Sequence, residues 1–350
     1  MTDYLLIGAG LAGIAFAEIA LQNNKTIHVF DNKSQNSSTI AGGLYNPVIL
    51  KRFSEVWRSQ EQVDLGNKFY AQLEAKLNVK LDYKIPIYRK LYSVEEQNNW
   101  FVASDKPNLT PFISPTISYN QYKGINSPYG FGEVLQSGYV DTAALLKNYH
   151  AYLVKSNLLQ CDSFNYANLI INDDFIEYKK QRYKNVIFAE GFGIHSNPYF
   201  SNLPLDGTKG ELLIIKSKEL KLDVILKSSV FIIPLGNDLF KVGATYNWED
   251  KTATPTEEGK NELLTDLKTL LTTDFEIIDH LAGVRPTVKD RRPMLGTHPK
   301  HPRLHVLNGL GTRGVMLAPD MAKMLFDNIE DQIPLDKEID IKRFKKISWD

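Results

Sequence analysis

Residues 4–31 decide the fold: Tyr4–Ile7, then Gly8-Ala9-Gly10-Leu11-Ala12-Gly13, then Ile14–Gln22, then Thr26–Phe30 and Asp31. The apolar run before Gly8 predicts a strand. Residues 11–22 (LAGIAFAEIALQ) carry apolar side chains at helical spacing. The short β-branched run 26–30 predicts a second strand. G-x-G-x-x-G between strand and helix is the context in which that pattern binds a dinucleotide. Gly8 allows the tight turn, Gly10 lets the backbone approach a pyrophosphate, and Gly13 lets the helix pack on the sheet. The helix N-terminus offers free N–H groups to the phosphates. Asp31 closes the second strand at about the 20-residue spacing at which a carboxylate accepts from ribose hydroxyls. The pattern alone does not separate NAD from FAD.

A second copy of the pattern, Gly309-Leu310-Gly311-Thr312-Arg313-Gly314, lies near the other end, between a predicted strand (304–308) and helix (315–329). No strand ending in an acid follows it; Pro334 and a charged tail do. A second dinucleotide is therefore not expected. What is left is a plain packing turn or a helix tip that stabilises developing negative charge.

Between these ends, helices are predicted over 54–77, 141–154 (capped by Asp141) and 256–271. Strands are predicted over 85–93 (at a sheet edge, because of Pro86), 169–172, 175–179, 185–189, 211–216, 222–226, 229–235 and 239–245. Residues 105–130 read as surface loops.

The chain has 350 residues, which predicts about two domains. Lys plus Arg equals Asp plus Glu at 41 each, which argues against a dedicated nucleic-acid binder. Ordinary apolar and charged fractions, 43% and 23%, exclude a largely disordered chain. The single cysteine, Cys161, excludes an internal disulfide and is expected in the core or a loop. No apolar run is long enough for a membrane helix. Asp3 precedes a strand that enters Gly8 directly, so no leader and a cytoplasmic location are expected. The seven histidines show no metal-ligand spacing, and His298 and His301, beside Pro299 and Pro302, are expected at the surface.

Four separated motifs, in order, carry a resemblance. They are the first glycine loop; Ser38-Thr39-Ile40-Ala41-Gly42-Gly43-Leu44; Ala282-Gly283-Val284-Arg285-Pro286-Thr287 with Asp290 and Pro293-Met294-Leu295-Gly296; and Gly309 through Pro319. Together they resemble the D-amino-acid-oxidase-like FAD-dependent oxidoreductases, the superfamily of glycine oxidase and sarcosine oxidase. In motif detail they look closest to the branch holding the flavin domain of the tRNA 5-methylaminomethyl-uridine maturation enzyme. The resemblance implies an α/β plus α+β architecture: a Rossmann-like FAD-binding domain (1–60, 135–215 and 280–350) with an inserted antiparallel-sheet substrate domain (61–134 and 216–279).

It also implies site residues. Gly8, Gly10, Leu11, Ala12, Gly13 and Asp31 would bind the ADP half of non-covalent FAD, with Asn32 and Lys33 near the adenosine. Ser38, Gly42, Gly43 and Leu44 would line pyrophosphate and flavin. Tyr166 would meet the adenine edge through its backbone. Ala189 and Gly191 would turn over the pyrophosphate, and Thr312, Arg313, Gly314, Val315 and Met316 would face the flavin pyrimidine edge. Arg285 would clamp a substrate carboxylate through two parallel hydrogen bonds; alternatively it pairs structurally with an acid such as Asp290. Phe231 and Tyr246 are pocket walls or ordinary sheet aromatics.

The implied reaction is oxidation of the C–N bond of an amino acid or N-substituted glycine by hydride transfer to flavin, with oxygen as acceptor. The alternatives are oxidation of a carboxymethylaminomethyl-type uridine in tRNA, or a catalytically silent flavin-binding module. The basic sets Lys289, Arg291, Arg292, Lys300, Arg303 and Lys342, Arg343, Lys345, Lys346 are solvated faces or tRNA phosphate contacts.

Overall fold

The computed structural model describes residues 1–349. Two eight-stranded sheets organise it. In the first, Leu159–Gln160, Ile27–Phe30, Thr2–Ile7, Gln181–Phe188 and Leu304–Asn308 run parallel in that spatial order. Antiparallel Ile176–Tyr178, Ile170–Ile171 and Met294–Thr297 complete it. The central strand 2–7 is apolar on both faces and buried along Tyr4–Ile7, as a covered parallel strand must be.

Its register fixes the site. Ile7 lies opposite Phe30 on one side and Phe188 on the other, and Phe188 lies opposite Val306. The chain therefore leaves one sheet edge at Gly8, Asp31, Ala189 and, two residues past Val306, Asn308. Ligands of open α/β sheets bind at that carboxyl edge.

Helix Leu11–Gln22 is apolar almost all round because it is covered all round. Its one buried acid, Glu18, is neutralised by Lys76 Nζ at 2.6 Å and accepts from the Tyr149 hydroxyl at 3.0 Å. Helices Ser59–Leu77, Thr142–Lys155 and Gly314–Glu330 share this core. The Asp141 side chain accepts from Ala144 N at 2.9 Å, which is the expected cap.

The second sheet has the order 276–285, 208–216, 239–243, 231–236, 225–227, 87–90, 131–134, 113–118. It is antiparallel except where 225–227 and 87–90 run parallel. Helix Glu257–Leu270 covers one face. Trp100 anchors the other, donating from Nε1 to Ser114 O at 2.9 Å.

Several expectations are corrected. The helix expected from 54 begins at Ser59, because 54–55 pairs with 48–49. The expected loop 105–130 contains the edge strand Ile113–Ser118. Strand 87–90 is interior, not an edge: Pro86 precedes it and its carbonyl accepts from Ile225 N at 3.0 Å, so the missing N–H costs no ladder bond. His298 is 2% exposed, boxed by the rings of Phe200, His301 and Trp349. Its Nδ1 accepts from the backbone N–H of Lys300 and His301, both at 3.2 Å, so the prolines turn it inward. Cys161 is an exposed loop residue. No helix among the described residues is long and apolar enough to cross a membrane.

Candidate functional site

The first glycine loop is built from contacts that tolerate no side chain. Gly8 has φ +99°, and a Cβ there would sit 2.5 Å from Ala189 O. At Gly13 a Cβ would sit 1.9 Å from Gly8 O, so the helix rests directly on the turn. Gly10 faces Ser38 Oγ, which accepts from Leu11 N at 3.2 Å. The second motif is thereby held against the first helix tip. Ala12 lies in the same first turn, whose N–H groups have no intrahelical acceptor.

Asp31 stands level with Gly8, and Lys33 N donates to Asp31 Oδ1 at 3.0 Å. His150, on helix 142–155, donates from Nε2 to Ala9 O at 2.8 Å and lies 3.6 Å from Asp31 Oδ2. Asn32 bonds Ser163 and Ser34 across the neighbouring loop, and Lys33 is exposed at φ +57°.

Gly191, at φ +56°, has open space where a Cβ would point. Its carbonyl accepts from Asn308 Nδ2 at 2.9 Å, which ties this turn to the strand preceding Gly309. Between Ala189 and Gly191, the half-buried Glu190 carboxyl accepts from the Tyr166 hydroxyl and from Asn197 Nδ2. Burial pushes it up to about 7 despite both hydrogen bonds.

The two helix tips meet. A Cβ on Gly314 would lie 3.0 Å from Leu11 Cδ1. The first turn Gly314–Met316, with Thr312 exposed ahead of it, thus opens beside the first glycine loop. The close-packed glycine turn, the open space at Gly191, an acid at strand level and two adjoining helix tips fit one elongated dinucleotide.

Phe231 stands over the second motif. A Cβ on Gly42 would lie 2.9 Å from its Cζ, and one on Gly243 would lie 2.7 Å from it. Gly43, at φ +70°, packs on Val140 O, and Leu44 pairs with Tyr139. Lys241 Nζ donates to Ala41 O at 3.1 Å, and burial holds its ammonium below the usual range.

Arg285 ends the edge strand 276–285. Its Nη1 donates to Lys209 O and Thr245 O, each at 3.2 Å, and its guanidinium lies 4.5 Å from the Tyr246 ring centre. Burial lowers its pKa, partly offset by Tyr246. Gly210 makes room, since a Cβ there would come within 1.9 Å of Nη2. Among the described residues no carboxylate lies within 4.0 Å of Arg285. Asp290 pairs instead with Arg343, at 3.1 Å, so the structural pairing weighed for Arg285 does not form. Phe231 is brought to the 41–44 motif, and Tyr246 to Arg285.

The basic sets are not. Arg292 pairs with Glu338 and Arg303 donates to two backbone carbonyls, while Lys289, Arg291 and Lys300 are exposed. His150, Gly210, Lys241 and Asn308 were not singled out from sequence. Gly210 lies just ahead of the expected strand 211–216, and nothing local marks the close approach there.

Comparison with known proteins follows the same lines. The family model for FAD dependent oxidoreductases (DAO) matches residues 3–328. Glycine oxidase from Bacillus subtilis (strain 168) is 22% identical over 352 residues, covering 93% of this chain and 92% of that protein. The tRNA 5-methylaminomethyl-2-thiouridine biosynthesis bifunctional protein MnmC of Legionella pneumophila (strain Philadelphia 1) is 23% identical over 375 residues. That match covers 95% of this chain and 54% of the bifunctional protein, so the chain spans about half its length. Among solved structures, iminodiacetate oxidase from Chelativorans sp. BNC1 superimposes with a TM-score of 0.79 at 16% identity, covering 96% of this chain and 98% of that one. Glycine oxidase from Bacillus cereus ATCC 14579 gives 0.73 at 19% identity, covering 95% and 96%. At these identities the structures speak for the fold.

Proposed function

Because the chain belongs to the FAD dependent oxidoreductase family, we propose that it oxidises the C–N bond of an amino acid or N-substituted glycine. The observation that carries this reading is Arg285: a half-buried guanidinium, oriented by two backbone carbonyls and a tyrosine face, with no acid of its own among the described residues. A planar guanidinium so held takes a carboxylate through parallel hydrogen bonds and fixes the attached Cα. The residues that would hold non-covalent FAD are Gly8, Gly10, Gly13, Asp31, Ser38, Gly191 and the 314–316 turn. The unit they form comprises 1–60, 135–215 and 280–350, with the substrate unit at 61–134 and 216–279.

The chemistry that FAD supplies when bound is acceptance of a hydride from the substrate. The chain supplies orientation. Arg285 holds the carboxylate, Tyr246 and Phe231 wall the space above Gly42, and the 314–330 helix tip presents N–H groups to negative charge as it develops. The oxidised substrate leaves as an imine that water hydrolyses, and oxygen takes up the electrons.

Anaerobic mixing of the FAD-loaded protein with glycine, N-methylglycine and a panel of D- and L-amino acids tests this. At least one should bleach the flavin band, and bleaching by none would overturn the reading. A second reading, oxidation of a modified tRNA nucleoside, is favoured by two exposed aromatics on one segment, Tyr246 beside Arg285 and Trp248 two residues on. Tyr246 and Trp248 are 59% and 45% exposed, as bases require for stacking. Salt-sensitive tRNA binding would support it.

A further inference from the structure

Arg285 is not the only guanidinium at this place without an acid. Arg313 ends the turn 311–313, and Gly311 N donates to Pro286 O at 2.9 Å. The two arginines are therefore carried by segments bonded to each other within two residues of each side chain. Both feel the Tyr246 hydroxyl. Burial bears hardest on Arg313, followed by the positive charges of Arg291 and Arg292. Among the described residues neither Arg285 nor Arg313 has a carboxylate within 4.0 Å, and Arg313 has no hydrogen-bond acceptor for its side chain. Of the nearby arginines, Arg292 and Arg343 are matched by Glu338 and Asp290, and Arg291 is exposed to solvent.

Two half-buried cations on segments bonded to each other, neither with a counter-charge, are costly unless a ligand supplies it. One carboxylate answers Arg285 and leaves Arg313 unanswered. Oxidised isoalloxazine is neutral, so it does not discharge a guanidinium in the resting protein. The first turn of the 314–330 helix already serves negative charge on that edge. We propose that the substrate is a dianion, an amino acid or N-substituted glycine whose second carboxylate pairs with Arg313. This rests on the amine-oxidation reading for the reaction, but the anion site stands on the two arginines alone.

The test is equilibrium binding to the FAD-loaded protein, read from perturbation of the flavin absorption. The probes are glutarate and pentanoate, which share a carbon count and differ in one carboxylate. Glutarate is also the carbon analogue of iminodiacetate. Glutarate should bind about tenfold or more tighter, the gain expected of a charge-assisted hydrogen bond. Arg313→Gln should reduce the ratio to about threefold or less, and Arg313→Lys should restore part of it. Equal affinity in the unmodified protein, no binding of either acid, or a preference that survives Arg313→Gln would overturn the proposal. Failure of the underlying reading looks different: glutarate is preferred, yet neither iminodiacetate nor N-methylglycine bleaches the flavin.

Discussion

The Tyr70 hydroxyl donates to Val315 O at 2.6 Å. That carbonyl would normally receive the N–H of residue 319, which is Pro319, inside the helix 314–330. Tyr70 supplies the donor that proline lacks, from a helix 245 residues earlier in the chain. The bond lies one residue from Gly314, so it fixes the helix tip that abuts Leu11. Burial also pushes the Tyr70 phenol far above its usual range, which keeps it protonated as a donor.

Removing that donor leaves a buried carbonyl unpaired. Tyr70→Phe should therefore lose about 1–3 kcal/mol of stability, measured by urea unfolding of the FAD-free protein. Loss below about 0.5 kcal/mol, the level of a neutral surface change, would mean that the helix repairs the gap itself.

Arg285 and Gly210 act as a pair. Arg285→Lys keeps the charge but loses the planar fork, and should raise KM for a carboxylate substrate about tenfold. Gly210→Ala places a Cβ within 1.9 Å of the guanidinium, so it should displace Arg285 and raise KM in the same direction with the arginine itself unchanged. Steady-state kinetics with the amine identified by the bleaching screen separates the outcomes. Unchanged KM in Gly210→Ala would show that the strand yields instead of the arginine.

The first thirty residues were legible because their geometry leaves marks in the sequence. Gly8 needs φ +99°, Gly13 touches Gly8 O, and the helix between two layers is apolar on every side. The ten-residue strand 276–285 was not legible as a strand. It lies at a sheet edge, and EIIDHLAGVR is largely exposed over its first half, so no alternation shows. Arg285 stood out through a motif. Gly210, Lys241, His150 and Tyr70 take their roles from partners 75 to 245 residues away, and no local pattern records those. His298 misled because flanking prolines usually mark surface loops, whereas Phe200 and Trp349 close over it.

Asp31, the expected ribose acid, is flanked by His150, which bonds Ala9 O and approaches the carboxylate at 3.6 Å. Asp31→Asn keeps the shape and removes the charge that would accept from both ribose hydroxyls. It should weaken FAD binding about tenfold, the worth of a charge-assisted hydrogen bond. Titration of the FAD-free protein by quenching of flavin fluorescence checks this, and unaltered affinity would take Asp31 out of the cofactor site. Gly13→Ala should do worse, because its Cβ would collide with Gly8 O at 1.9 Å and separate helix from turn.

Glu190 gives the site a pH dependence of definite sign. Its carboxyl titrates near 4.5 in an unfolded chain and is pushed up to about 7 in the fold, with burial outweighing the bonds from Tyr166 and Asn197. Below about 4.5 both states hold the proton, and this group contributes fully. Between about 4.5 and 7 the fold still holds a proton that the unfolded chain has released, so stability falls as pH rises. Above about 7 both states are ionised and the slope ends. The thermal midpoint of the FAD-free protein should therefore fall across that window, and Glu190→Gln should remove this part of the slope. Because Glu190 lies between Ala189 and Gly191, its ionisation also places a negative charge beside the expected pyrophosphate turn. FAD should therefore bind more tightly at pH 6 than at pH 8, and Glu190→Gln should flatten the difference. Parallel pH profiles for the two proteins would show that Tyr166 and Asn197 keep Glu190 ionised throughout.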